Sequence, residues 1–391
     1  MRVTGIICEY NPFHNGHAWQ LARARALSEA DFVVCVMSGS FTQRGEAAAF
    51  DKWTRARFAL QNGADAVFEL PALYALSPAD GFARAGVSLL RDLGATTHLS
   101  FGVEPQALPR LDALCALTLH ESPQVQQRIR QGLAEGQTLP RARARAYAQD
   151  TGDPTLAALL NQPNLTLALE YLRALQALDA AIEPVPVARA GAGYHDADAS
   201  PLASATGVRA ALERGDWDAV HAAVPDADAL RNIPFCRPDA LDQALLYALR
   251  TATPQSLRPL RGMDEGLEHR LLAAAQDCDS RAALLDAVKS KRYTYARLSR
   301  LLACVLLQLP QSLYAQHPLP PYARLLGMRR DASALLRAIN ENARIPVINR
   351  PGRALAVQSP VFALDVRATD VRALALGEPA RQDLTRPPVL I

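Results

Sequence analysis

Two rhythms of apolar and polar positions alternate through the first hundred residues. Short apolar, β-branched runs at 3–8, 31–37, 64–69 and 97–101 read as strands, and helical spacing follows His14 and recurs at 52–61 and 78–91. Strands alternating with helices predict a parallel sheet with right-handed crossovers, covered on both faces: an α/β, Rossmann-like, doubly wound parallel sheet. Residues 108–160 read as a helical insertion rich in alanine and arginine. From 215 onward helical spacing dominates, at 239–251, 266–277, 280–287, 295–307 and 332–339. The expected division is therefore an α/β domain over 1–214 and a separate, mainly α-helical C-terminal domain over 215–391.

In sheets of this kind ligands bind beyond the carboxyl ends of the strands. The segment Glu9-Tyr10-Asn11-Pro12-Phe13-His14-Asn15-Gly16-His17 occupies that place on the first strand. His14 and His17 are three residues apart, so on a helix that starts near Phe13 they share one face of its first turn. That turn offers unpaired backbone N–H groups and the positive end of the helix dipole, where polyanions are stabilised. Gly16 leaves room for a ligand against the backbone, and Pro12 pre-sets the loop. Outside this context a His-x-x-His pair is as readily a surface pair or half of a zinc site. After a strand and before a helix it reads as a nucleotide-phosphate site.

Other loops would converge on the same edge. Residues 37–46 end the second strand and Ser100-Phe101-Gly102-Val103-Glu104 the fourth, both with glycine. Ser204 and Thr206 precede a helix with Arg209 one turn on. That is an ordinary helix start, and equally a cap, free N–H groups and a guanidinium able to grip phosphate from a second side. Alternating arginines at 141, 143 and 145 read as a solvated rim or an RNA contact. Lys291, Arg292, Tyr293, Arg297 and Arg300 combine cations with an aromatic ring, which suits phosphate contact plus base stacking, or else a charged helix entry paired with acids.

Composition narrows the setting without choosing a partner. With 391 residues, 49% hydrophobic and 21% charged, the chain has the balance of a globular protein of two domains. A net charge of +3 is too small to argue nucleic-acid binding, which would need a local basic patch. The six cysteines are scattered, with no Cys-x-x-Cys pair, and read as reduced thiols in a cytoplasmic protein with no metal site of its own. No apolar stretch reaches the roughly 18 residues of a membrane helix, and Met1-Arg2 leads straight into a strand, so neither an anchor nor a signal peptide is expected.

The His14-Asn15-Gly16-His17 pattern after a first strand resembles the signature of the HIGH-type nucleotidyltransferase superfamily. The longer string from Glu9 to His17 is similar to one family within it, the bacterial tRNA(Met) cytidine acetate ligases. Lys52-Trp53, Glu69-Leu70-Pro71, Phe101-Gly102, Pro163-Asn164, Tyr194-His195-Asp196, Ser204-Ala205-Thr206…Arg209 and Lys291-Arg292-Tyr293-Thr294 resemble further landmarks in the family's order. Leu165 stands where a second asparagine is common, and Ala47 where proline is usual.

The resemblance implies an enzyme that uses ATP, with magnesium accompanying the nucleotide, to activate acetate and acetylate N4 of the wobble cytidine of elongator tRNA(Met). It implies no stable protein partner. It places ATP at Ile7, Cys8, Glu9, Tyr10, Asn11, Pro12, Phe13, His14, Asn15, Gly16, His17, Ala18, Trp19 and Gln20, with Gly102, Asn164 and Arg189, and it strengthens the phosphate role of Ser204, Thr206 and Arg209. His14 and His17 would be catalytic, and the C-terminal domain would meet the tRNA. Two rival expectations stay open: a small-molecule adenylyltransferase of the same superfamily, and a tRNA-binding protein with a regulatory nucleotide site.

Overall fold

A computed structural model describes residues 1–119, 121–160, 162–189, 204–264, 266–290, 293–352 and 358–391. The expected sheet forms from β1 (Val3–Cys8), β2 (Phe32–Ser38), β3 (Ala66–Leu70) and β4 (His98–Val103), all parallel where they pair. Its apolar runs are continuous because each strand is covered twice. Val34 and Val36 enter one core with Phe68, Leu90 and Phe101, while Val33, Cys35 and Met37 enter the other with Phe58 and Ala59. Helix α1 (Asn15–Ser28) and helix α2 (Lys52–Gln61) supply Leu21, Ala24, Phe58 and Ala59 to that second core. Helix Ala79–Asp92 lies so close over β1 that a Cβ on Gly5 would come within 2.6 Å of the Leu90 side chain.

The sheet is wider than the pattern predicts. With β5 (Glu183–Ala188), β6 (Ala323–Met328) and β7 (Val347–Ile348) its order is β5-β4-β1-β2-β3-β6-β7, where β5 pairs parallel with β4, and β8 (Val389–Leu390) also pairs with β6. Pro184 and Pro186 hide β5 from a propensity reading, and they are tolerated because β5 is an edge strand with one side free of ladder bonds. Strand β6 runs antiparallel to β3, and β7 is parallel to β6. Four helices between Leu111 and Leu160, followed by helix Pro163–Ala177, make the crossover from β4 to β5.

Residues 215–391 are mainly helical, yet the packing does not divide at 214/215. Val220 and Leu230 share the second core with Ile6 and Tyr10, and all six residues of β6 are buried within the common sheet. A separate apolar cluster forms among residues 245–305, where Leu245, Leu271, Leu285 and Leu302 meet. No helix among the described residues is long and apolar enough to cross a membrane.

Buried charges lock the last third to the first. Lys52 Nζ lies 2.6 Å from both Glu69 Oε1 and Asp383 Oδ1. Arg324 Nη1 reaches Glu69 Oε2 at 3.2 Å and also contacts Asp383. All four side chains are at most 2% exposed, so two cations answer two carboxylates with almost no help from water. Removing one member strands the others, at a cost of about 3 kcal/mol or more. Lys52→Met should therefore lower the urea midpoint by that equivalent with an unchanged slope, and an unmoved midpoint would show that the knot contributes nothing.

Candidate nucleotide site

The first turn of α1 carries the chemistry. His14 is its N-cap, with extended backbone (φ −149°, ψ 171°), and its Nδ1 accepts the Gly16 N–H at 3.1 Å. In return His17 Nδ1 accepts the His14 N–H at 3.2 Å, a reciprocal capping box made from two imidazoles. The rings stack with centroids 3.7 Å apart and planes 26° from parallel. A neutral imidazole whose Nδ1 accepts must carry its proton on Nε2, so both rings present Nε2–H donors. Gly16 is required by this stack as much as by any ligand: a Cβ there would come within 2.9 Å of His14 Cε1.

Electrostatics keep both rings neutral. Burial, then the nearby Arg189 guanidinium, lowers His14 from 6.5 to about 4. Burial, with His14 and Arg189 adding, holds His17 well below its ordinary value. The rings can therefore polarise phosphate oxygens by hydrogen bonding without being proton donors at neutral pH.

One flank of the site comes from β4 and β5. Arg189 directly follows β5, and its Nη1 donates to Asn164 Oδ1 at 2.8 Å. Asn164 Nδ2 in turn donates to Glu104 Oε1 at 2.7 Å. The Arg189 stem lies over Gly102, where a Cβ would approach it to 3.2 Å. The opposite flank is the start of helix Ala205–Arg214, where Ser204 Oγ accepts the Gly207 N–H at 3.1 Å. Arg209 Nη1 donates to the Asn11 carbonyl at 2.7 Å, and Nη2 reaches Thr206 Oγ1 at 3.3 Å. Two helix N-termini thus face one cleft from either side.

Arg55, unremarked in the sequence, holds the loops that carry the motif. Buried in α2, it donates to the carbonyls of Glu9 at 2.6 Å, Ser38 at 3.0 Å and Phe50 at 3.1 Å, and also to that of Gly39. It ties the carboxyl ends of β1 and β2 together. The available signal was an arginine set among Trp53, Ala56, Phe58 and Ala59, on the face of the helix that packs inward.

The cleft measures about 2180 Å³ and gathers most of the expected residues. Ile7, Cys8, Glu9, Tyr10, Asn11, His14, Gly16, His17, Trp19, Gln20, Gly102, Asn164, Arg189, Ser204, Thr206 and Arg209 line it. Pro12, Phe13, Asn15 and Ala18 do not. Phe13 is buried edge-on to Tyr10 at 4.9 Å, Asn15 Nδ2 donates to the Ala222 carbonyl at 3.0 Å, and Ala18 packs against the second core. These four shape the loop from behind.

The expected cationic patch fares unevenly. Lys291 and Arg292 lie outside the described residues. Tyr293 is 5% exposed and packs in the cluster of residues 245–305, so its ring is a core element and not a stacking platform. Arg297 is held by Asp264 at 2.7 Å and sits 4.9 Å over the Tyr293 ring, while Arg300 lines the cleft.

A parallel sheet whose first strand runs into a helix start bearing His-x-Gly-His is the arrangement of the HIGH nucleotidyltransferase fold. A family model described as HIGH Nucleotidyl Transferase matches residues 1–386. The tRNA(Met) cytidine acetate ligase of Syntrophomonas wolfei is 35% identical over 100% of this chain and 99% of that protein, and that of Leuconostoc mesenteroides 36% identical over 100% and 99%. Thermotoga maritima TmcAL, in a crystal structure bound with alpha-thio ATP, matches with a TM-score of 0.90 and 27% identity over the full length of both chains. Its apo form gives 0.91 and 28%, again over the full length of both. The chain belongs to the tRNA(Met) cytidine acetate ligases of the HIGH nucleotidyltransferase family.

The folded state binds the His14 proton less readily than the unfolded chain does. His14 therefore favours folding above pH 6.5, and that contribution is lost as pH falls toward about 4. Nitrogen-15 NMR of the ligand-free protein should show both rings as Nε2–H tautomers at pH 7, with His14 titrating near 4. A protonated Nδ1, or titration at 6.5 or above, would contradict the capping geometry.

Proposed function

We propose that the chain activates acetate with ATP as acetyl-adenylate and transfers the acetyl group to N4 of the wobble cytidine of elongator tRNA(Met). The observation that carries this reading is the pair of neutral Nε2–H donors at the start of α1, flanked by Arg189 on one side and Arg209 on the other.

Acetate is already an anion at neutral pH, so its oxygen attacks the α-phosphate without a general base. What the reaction requires is positioning and stabilisation of charge on the phosphoryl oxygens. His14 and His17 donate to the oxygens of the pentavalent phosphorus. Ser204, Thr206 and Arg209 hold the outer phosphates, which depart as pyrophosphate. Arg209 is pre-set for this by its bond to the Asn11 carbonyl, which fixes the guanidinium between the motif loop and the second helix start. Magnesium would accompany the nucleotide and would supply charge neutralisation there. Among the described residues no group of three or more acidic, histidine or cysteine side chains forms a metal cage.

Gly102, Asn164 and Arg189 bound the side of the cleft over β4 and β5, where the adenosine end of ATP lies. In the second step the exocyclic amine of a cytidine drawn out of the anticodon stack attacks the acetyl carbonyl and AMP leaves. The mainly helical segment 215–391 supplies the tRNA-facing wall.

Labelled pyrophosphate should exchange into ATP only when acetate is present. His14→Ala and His17→Ala should each lower that exchange by about a hundredfold or more, the scale of a lost transition-state donor. Exchange that ignores acetate, or that survives both substitutions, would overturn the proposal.

A further inference from the structure

The cleft extends beyond the histidines. Past Glu9 it crosses the hairpin after β2 and reaches the helical cluster of residues 245–305, where Gln43, Pro78, Arg261, Tyr295, Arg300 and Tyr314 line it. Arg261 is only 9% exposed. Its Nη1 donates to the Leu73 carbonyl at 2.5 Å and its Nη2 to Ser77 Oγ at 3.0 Å, with the guanidinium 3.8 Å over the Tyr314 ring. Arg300 shares this end of the cleft, and the one hydrogen bond of its side chain among the described residues is a long contact to the Gln43 carbonyl at 3.4 Å.

Among the described residues neither guanidinium has a carboxylate within ion-pair distance, although their neighbours do. Arg258 is paired with Glu268 at 2.9 Å and Arg297 with Asp264 at 2.7 Å. Asp80 attracts both from farther away and is itself exposed. A buried and a half-buried guanidinium with no carboxylate paired to either repel one another, and an anion placed between them relieves that cost.

The geometry points to a second anion subsite, formed by Arg261 and Arg300, that takes a backbone phosphate of the RNA beside the acceptor cytidine. This rests on the reading of the chain as a tRNA-acetylating enzyme.

Location separates the subsite from the nucleotide. The ATP phosphates have their own donors at the starts of α1 and of helix Ala205–Arg214, whereas Arg261 is anchored to Leu73 and Ser77, which follow β3 on the other side of β2. Guanidinium forks suit the paired oxygens of a phosphodiester. A base pulled from its stack leaves its flanking phosphates as the groups a protein can hold firmly. Tyr295, 43% exposed at the first turn of helix Tyr295–Leu306, offers a ring face beside them.

The test uses the full-length protein with unmodified tRNA(Met), ATP and acetate. Arg300→Gln should weaken tRNA binding about tenfold, the effect of one lost charged hydrogen bond. It should also reduce the slope of log affinity against log salt by about 0.7, the value for one single-strand phosphate contact. Arg300→Lys should restore the slope, and Arg261→Lys, which loses the fork, should weaken binding again. Unchanged tRNA affinity and slope in Arg300→Gln would overturn the subsite. So would a rise in KM confined to acetate or to ATP in the pyrophosphate exchange, because the pair would then serve that anion. A wild-type protein that performs the exchange but does not bind tRNA would overturn the subsite together with the tRNA reading, and normal wild-type tRNA binding with insensitive variants would overturn the subsite alone.

Discussion

Two backbone amides at the start of α1, those of His14 and Gly16, donate to the Nδ1 atoms of His17 and His14, and the chemistry of the cleft depends on that pairing. It satisfies two of the N–H groups that any helix start leaves open. The same bonds settle the tautomer of both rings, and burial settles their charge. A helix cap and a pair of aimed donors are thus one arrangement, and the donors are in place before any ligand arrives. Preorganisation of this kind is what makes hydrogen bonding effective in a transition state, since nothing need be reoriented as charge develops.

The remainder of the fold keeps that turn in place. Arg55 joins the loops after β1 and β2 through their carbonyls, and Arg209 ties the motif loop to a second helix start. The knot of Lys52, Glu69, Arg324 and Asp383 then fixes β6 and the chain end against β3. Because the segment containing residues 245–305 is inserted between elements that belong to the common sheet, it cannot drift from the site as a tethered domain would. Gly45 marks the seam: at φ +76°, a Cβ there would lie 2.5 Å from the backbone of Ser299 and Arg300. The hairpin after β2 and helix Tyr295–Leu306 therefore meet backbone to backbone beside the cleft.

What the sequence made legible was local. Strands β1 to β4 stand out because burial on both faces requires unbroken apolar runs, and the motif stands out because its spacing matches one helical turn. Strand β5 was illegible because prolines, tolerated only at an edge, argue against a strand when its place in the sheet is unknown. Strand β6 was illegible because its partner β3 lies more than 250 residues earlier. Arg55 bonds to carbonyls, and Arg261 to one carbonyl and one serine hydroxyl, partners that leave no charge pattern in the sequence. Tyr293 misled in the opposite direction: a tyrosine among cations looks like a stacking platform, but just ahead of helix Tyr295–Leu306 its ring packs into the apolar cluster of residues 245–305.

On the proposed function, one cleft joins acetate activation to acetylation of a cytidine. The most direct measurement is mass spectrometry of nucleosides from unmodified tRNA(Met) incubated with the protein, ATP and carbon-13 acetate. N4-acetylcytidine carrying the label, formed only when protein, ATP and acetate are all present, is the expected result. Unlabelled or absent N4-acetylcytidine alongside ATP consumption, or accumulation of a stable adenylylated metabolite with the tRNA unmodified, would contradict it.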